Sequence, residues 1–204
     1  MPRLLWITML SSLWPLAAAD LPLVDWSAPE VLQQISLNGG RDAAFALIDG
    51  PAGKALEITC TPGENSYPGV AIKPATGVWD LAAYGTVQAQ VTNTGGAKLT
   101  VTLRLDNPGD WQQNPWNADH VTLEPGQSGR VTVYFGYSWG RRGYALDPTK
   151  INQLLLYTGK PAAELKLRVD SIVASGAPGS RPPGLVDPLR PAGGVLLDLA
   201  QPVT

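Results

Sequence analysis

The sequence predicts an all-β domain: a two-sheet antiparallel β-sandwich followed by a Pro/Gly-rich C-terminal tail. Three observations predict it. Several segments alternate apolar and polar residues with period two. Clusters of Gly, Pro and Asn separate these segments at short spacing, as turns do. Helical periodicity is confined to short stretches.

The chain opens "MPRLLWITMLSSLWPLAAAD". Arg3 precedes an apolar run over residues 4–16, short for a bilayer span, and small residues at 17–19 complete the pattern. Residues 1–19 therefore read as a signal peptide, Asp20 as the mature start, and the protein as secreted or periplasmic. The sandwich is expected over residues 20–176. "LVDW" is its first candidate strand. "SAPEVLQQI", with Ser27 as cap and an early Pro29, predicts one short helix. "FALID", "KALEITCT" and "GVAIKP" follow as strands, joined by "PAG" and "TPGEN".

The next segments carry the clearest alternation. Val87, Ala89 and Val91 share one face, against Gln88, Gln90 and Thr92. Leu99, Val101, Leu103 and Leu105 oppose Thr100, Thr102, Arg104 and Asp106. Such strands are half-buried in an antiparallel sheet. "HVTLEP" and "RVTVYFGYS" come next, then "DPTKINQLLLY", an Asp-Pro turn running into a strand. "ELKLRVDSIVAS" closes the domain, with Leu165, Leu167 and Val169 opposite Lys166, Arg168 and Asp170. No fixed-period repeat is visible, which disfavours a propeller. Residues 177–204 begin "APGSRPPG", where proline removes backbone donors, and read as a linker or extended tail. "GVLLDLAQPVT" reads as an edge strand or the start of a further domain.

Composition excludes several functions. Fifteen Lys and Arg stand against 17 Asp and Glu, a net charge of −2 with no basic block, which argues against nucleic acid and anionic membranes as partners. Cys60 is the single cysteine, so no intramolecular disulfide forms, and its alternating context reads as a small buried hydrophobe. His120 is the single histidine, which excludes a His-cluster metal site and leaves a Ser–His–Asp triad unexpected. Asp106, Asp110, Asp119 and Glu124 lie close in sequence, but acids are ordinary in polar loops.

"DNPGDWQQNPWNADH", residues 106–120, reads as a long polar connection holding two large aromatics. Sugars present C–H faces that stack on rings and hydroxyls that need amide or carboxylate partners. Trp111 and Trp116 supply the first; Gln112, Gln113, Asn114, Asn117, Asp110 and Asp119 supply the second. The competing reading folds one or both tryptophans back to plug the sandwich. In "YFGYSWGRRGY", Tyr134, Tyr137, Trp139 and Tyr144 flank Arg141 and Arg142. That arginine pair suits sugar hydroxyls, sulfate or carboxylate, or else pairs with local acids. Trp26 and Trp79 read as packing residues. Tyr67 reads as groove-lining or as a turn residue before Pro68.

The stretch "YPGVAIKPATGVWDLAAYGTVQAQVTNTGGAKLTVTLRLDNPG", with "LEPGQSGRVTVYF", "ALDPTKINQLLLYTGKP" and "LKLRVDSIVASG", resembles the N-terminal module of bacterial β-agarases of glycoside hydrolase family 50. The resemblance spans roughly residues 23–176. It implies a jelly roll of the carbohydrate-binding, galactose-binding-domain-like type. In that family the module precedes a (β/α)8 catalytic barrel, which these residues do not contain. The expectation is a non-catalytic accessory module that binds agar- or galactan-like polysaccharide and partners a glycoside hydrolase domain. Its expected contacts are Trp111, Trp116, Asn114, Asn117, Gln112, Asp110, Trp139, Tyr137 and Arg141. The resemblance also implies a structural calcium, with Asp25 and Asp170 as ligands. Two alternatives stand beside this reading. One is a structural module that packs on a barrel without binding sugar. The other is a small jelly-roll polysaccharide lyase using Arg141, Arg142, Tyr144 and His120.

Overall fold

The computed structural model describes residues 19–185 except Asn114. Residues 1–18, on which most of the expected signal peptide falls, Asn114 and the tail from residue 186, including "GVLLDLAQPVT", lie outside the described residues.

Two antiparallel sheets face each other. The back sheet has the order β3 (Ala43–Gly50), β4 (Gly53–Cys60), β13 (Leu165–Ser175), β6 (Thr86–Asn93) and β9 (Ser128–Tyr134). A two-residue strand, β1 (Leu21–Pro22), pairs with the far half of β13. The front sheet has the order β2 (Ile35–Asn38), β5 (Gly69–Ile72), β12 (Gln153–Thr158), β7 (Leu99–Asp106) and β8 (Trp116–Leu123). A small hairpin, β10 (Tyr137–Ser138) and β11 (Arg141–Arg142), stands apart from both sheets.

The period-two residues fall where their chemistry requires. Val87, Ala89 and Val91 of β6 and Leu99, Val101, Leu103 and Leu105 of β7 are fully buried between the sheets. Leu154 and Leu156 of β12 join them from the front, with Leu56, Ile58 and Val169 from the back. Trp26 is buried and Trp79 packs against the core, as expected. Cys60 is buried, and its Sγ–H donates to the Pro68 carbonyl at 3.4 Å. Burial pushes its thiol up to about 11.

β13 does not keep a simple alternation. Val169 lies opposite Val91, but Ser171 lies opposite Gln90, so Asp170 is an extra residue in a β-bulge. The bulge resets the parity of the strand, so that Ile172 and Ala174 also face the core, both fully buried.

Three expectations change. Only Leu21 and Pro22 pair as a strand near the N-terminus, and "LVDW" runs into a turn. "SAPEVLQQI" holds one 3-10 turn, Val31–Gln34, that starts later than expected: Glu30 rather than Ser27 takes the cap position, without a side-chain cap bond, and the Ser27 hydroxyl donates to Asp25. The third change matters most. The polar connection is shorter than expected, since Trp116 already begins β8, with Asp106 opposite Trp116 and Arg104 opposite Ala118. β8 is an edge strand, where polar residues are tolerated.

The "DPTKI" segment forms the turn predicted for it, a 3-10 turn at Pro148–Lys150. The Asp147 carboxylate caps it by accepting from the Thr149 N–H at 3.0 Å. Past β13 the chain bends back on the domain. The Gly85 N–H donates to the Gly176 carbonyl at 3.0 Å, and a Cβ on Gly85 would run into the Ala177 carbonyl.

Leu103 sits fully buried in the middle of β7, so Leu103→Ala is expected to lower stability by about 2–5 kcal/mol in denaturant unfolding. The Cys60 thiol is expected to stay silent toward a disulfide-exchange reagent at pH 8 while the protein is folded, and to react at once on unfolding.

Candidate functional site

The outer face of the front sheet is the opposite of its inner one. The register aligns Gln153, Asp106 and Trp116 across β12, β7 and β8. The next outward row is Leu155, Arg104 and Ala118, and the next is Tyr157, Thr102 and His120. A groove of about 720 Å³ runs over this face.

Aromatic rings stand at both ends. At one, Tyr67 and Tyr157 meet edge to face, with centroids 5.6 Å apart. At the other, Trp111, Trp116 and Trp139 line the groove. Trp111 is 56% exposed and Trp116 is half-buried, so neither plugs the sandwich. Gly69, opposite Tyr157, must lack a side chain, because a Cβ there would meet the Leu156 carbonyl.

Arg104 organises the floor between them. Its guanidinium carbon lies 4.9 Å from the Trp116 ring centroid and 5.5 Å from that of Trp111. Asp106 grips it in a two-pronged pair, accepting from Nε at 2.6 Å and Nη2 at 3.1 Å. Gln153 Nε2 donates to the same carboxylate at 3.3 Å. Burial raises the Asp106 carboxyl above its ordinary range, against the opposing pull of Arg104 and Gln153. Burial likewise raises the Tyr157 phenol, which stays neutral at physiological pH and able to donate and accept.

The wall beside Trp116 comes from the β10–β11 hairpin. Trp139 and Gly140 both have positive φ, 50° and 70°, as a tight two-residue hairpin turn demands. Tryptophan in this region costs roughly 1–2 kcal/mol, and a backbone outlier of this kind points to function. The Trp139 N–H donates to the Ala118 carbonyl at 3.0 Å. The ring then meets Trp116 edge-on, centroids 5.5 Å apart, and Tyr144 meets Trp116 from 5.6 Å.

The expected site residues separate into groups. Trp111, Trp116, Trp139 and Asp110 line the groove together. Gln112 is exposed in the same loop but outside the lining. Asn117 is a correction. It points inward and is fully buried, where it donates to the Tyr144 carbonyl at 3.1 Å and accepts from the Gly136 N–H at 2.7 Å. Its work is to fasten the hairpin to β8. Tyr137 is half-buried and lines no part of the groove, and Arg141 lines a neighbouring pocket. Asn114 lies outside the described residues.

Arg104, Asp106, Gln153, Leu155 and Tyr157 are groove residues that sequence reasoning missed. The signal was present: Arg104 and Asp106 are opposite charges two residues apart on one strand face, and Tyr157 is the outward residue ending "QLLLY".

Catalytic and metal arrangements fare differently. "GYSWG", residues 136–140, has the G-x-S-x-G spacing of a nucleophile elbow. Ser138 is buried in the hairpin rather than raised on a strand-to-helix turn, and its Oγ accepts from the Ala118 N–H at 3.2 Å. The lyase set is not brought together: Arg141, Arg142 and Tyr144 share one pocket, while His120 lines another with Asp119. Asp170 accepts from Arg168 Nε at 2.7 Å, and Asp25 accepts from the Ser27 hydroxyl at 2.6 Å. Among the described residues no three His, Cys, Asp or Glu side chains are grouped to hold a metal. Asp25 and Asp170 thus each pair with a nearby side chain, Ser27 and Arg168.

No family model matches the sequence, and no curated protein sequence matches it either. Solved structures do match. The fold is a two-sheet β-jelly roll that these structures share. A family 11 carbohydrate-binding module from Clostridium thermocellum, in complex with a β-1,3-1,4-mixed-linked tetrasaccharide, superposes with TM-score 0.56 at 16% identity, covering 79% of this chain and 98% of that one. An exo-β-agarase superposes with TM-score 0.60 at 16% identity, covering 78% of this chain but 25% of its own. The agarase AgWH50C does so with TM-score 0.60 at 14% identity, covering 79% and 25%. The chain thus matches about a quarter of the length of these agarases.

Asp106 is mostly buried and holds the Arg104 guanidinium in place, so Asp106→Ala is expected to lower stability by about 3 kcal/mol. It is also expected to raise acrylamide quenching of Trp111 and Trp116; an unchanged unfolding midpoint contradicts the pairing.

Proposed function

We propose that the protein is a secreted or periplasmic, non-catalytic module whose front-sheet groove binds a polysaccharide chain of galactan type, in the service of a glycoside hydrolase. One observation carries the proposal: an open groove on a sheet face, with aromatic pairs at its two ends and Arg104, Asp106 and Gln153 between them. Stacked rings bind sugar C–H faces, while fixed amide and charged groups select hydroxyls. The agarases and the tetrasaccharide-bound module among the similar structures support the reading, and the agarases favour galactan. The half-exposed Trp111 favours ligand binding over packing on the sandwich.

In a shallow open groove, affinity for a short oligosaccharide is expected on the order of 0.1 mM, about 5.5 kcal/mol of binding free energy. Calorimetric titration with agarose oligosaccharides tests this. Tyr157→Ala and Trp111→Ala are each expected to weaken binding about tenfold with unchanged far-ultraviolet dichroism. No heat and no fluorescence change at millimolar sugar sinks the proposal.

A further inference from the structure

A second pocket, of about 530 Å³, lies on the other side of the Trp116–Trp139 wall. Trp116, Trp139 and Tyr144 give it three aromatic faces, and Arg141 and Arg142 supply its charge. No carboxylate is among its lining residues. Both arginines are exposed, and neither side chain makes a hydrogen bond or ion pair among the described residues. Arginines elsewhere on the sheets are committed: Arg104 to Asp106, Arg168 to Asp170, and Arg130 to Gln88.

Trp116 and Trp139 line both the groove and this pocket, so a chain lying along the groove reaches the pocket by passing the tryptophan wall. The forked N–H donors of a guanidinium match the oxygens of a sulfate ester or carboxylate. Two unpaired guanidiniums beside aromatic walls, with no acid to quench them, suit an anionic sugar better than a neutral one.

We propose that the Arg141–Arg142 pocket is an end subsite for a sugar unit carrying an anionic substituent, a sulfate ester or a carboxylate. The inference rests on the groove binding polysaccharide as proposed above. It gives the module a means of preferring charged stretches of a polymer that the groove alone would treat as neutral.

The test is calorimetry on the full chain with three oligosaccharide series of equal length: neutral agarose, sulfated κ-carrageenan and galacturonate oligosaccharides. One anionic series is expected to bind about tenfold more tightly than agarose at about 20 mM salt, with the advantage shrinking at about 200 mM. Which series gains identifies sulfate or carboxylate. R141Q/R142Q is expected to abolish the advantage and leave agarose binding unchanged. K73Q/K98Q removes the same charge elsewhere, from another surface depression and from the Glu124 pair, and is expected to preserve it. Equal affinity for all three series overturns the subsite and leaves the groove standing. So does an advantage that survives R141Q/R142Q or that K73Q/K98Q also removes. Binding of none of the three overturns both readings. Anionic binding that depends on the two arginines, without agarose binding, supports the subsite and refutes the neutral groove.

Discussion

The register of β7 between β12 and β8 is the constraint on which the rest depends. One face of β7 supplies Leu99, Val101, Leu103 and Leu105 to the core, all fully buried. The other supplies Thr102, Arg104 and Asp106 to the groove. A slip of one residue would exchange the two faces, burying a guanidinium and a carboxylate and exposing four large aliphatic residues. Core burial therefore fixes the groove as well. Arg104 lies between Leu155 and Ala118 because Leu103 and Leu105 must lie inside.

From that anchor the site is built by short side-chain links. Asp106 orients Arg104, and Arg104 gives Trp111 and Trp116 a cationic partner. Asn107 ties the base of the Trp111 loop to the Asp147 turn, donating to the carbonyls of Asp147 and Lys150 at 2.8 and 2.9 Å. Asn117 ties the β10–β11 hairpin to β8, which puts Trp139 against Trp116. Two buried asparagines thus set the position of aromatic rings that they do not touch as ligands.

Much of the fold was legible because period-two alternation is a direct image of half-burial. β6 and β7 show it without interruption. β13 broke the rule at Asp170, and a bulge is hard to read from one strand because it is a property of the pairing. The site was half legible. Trp111, Trp116 and Trp139 stand out by residue type. The strand start at Trp116 did not, because "WNADH" is a poor strand former until it pairs along β7. That error placed Asn117 among the ligand contacts, whereas pairing turns it inward. Tyr157 and Gln153 were hidden for a related reason. They alternate with Leu154 and Leu156, and sequence alone does not reveal that the polar face of β12 is flanked by two aromatic clusters.

The central claim is that sugar lies on the outer face of the front sheet. The most direct measurement is chemical-shift mapping of the isotope-labelled protein during titration with agarose oligosaccharides. The account predicts shifts concentrated at Arg104, Gln153, Tyr157 and the Trp111 and Trp116 indoles, with the back-sheet residues Gln88, Gln90 and Arg168 unmoved. Shifts centred on the back sheet, or none at millimolar sugar, would contradict it.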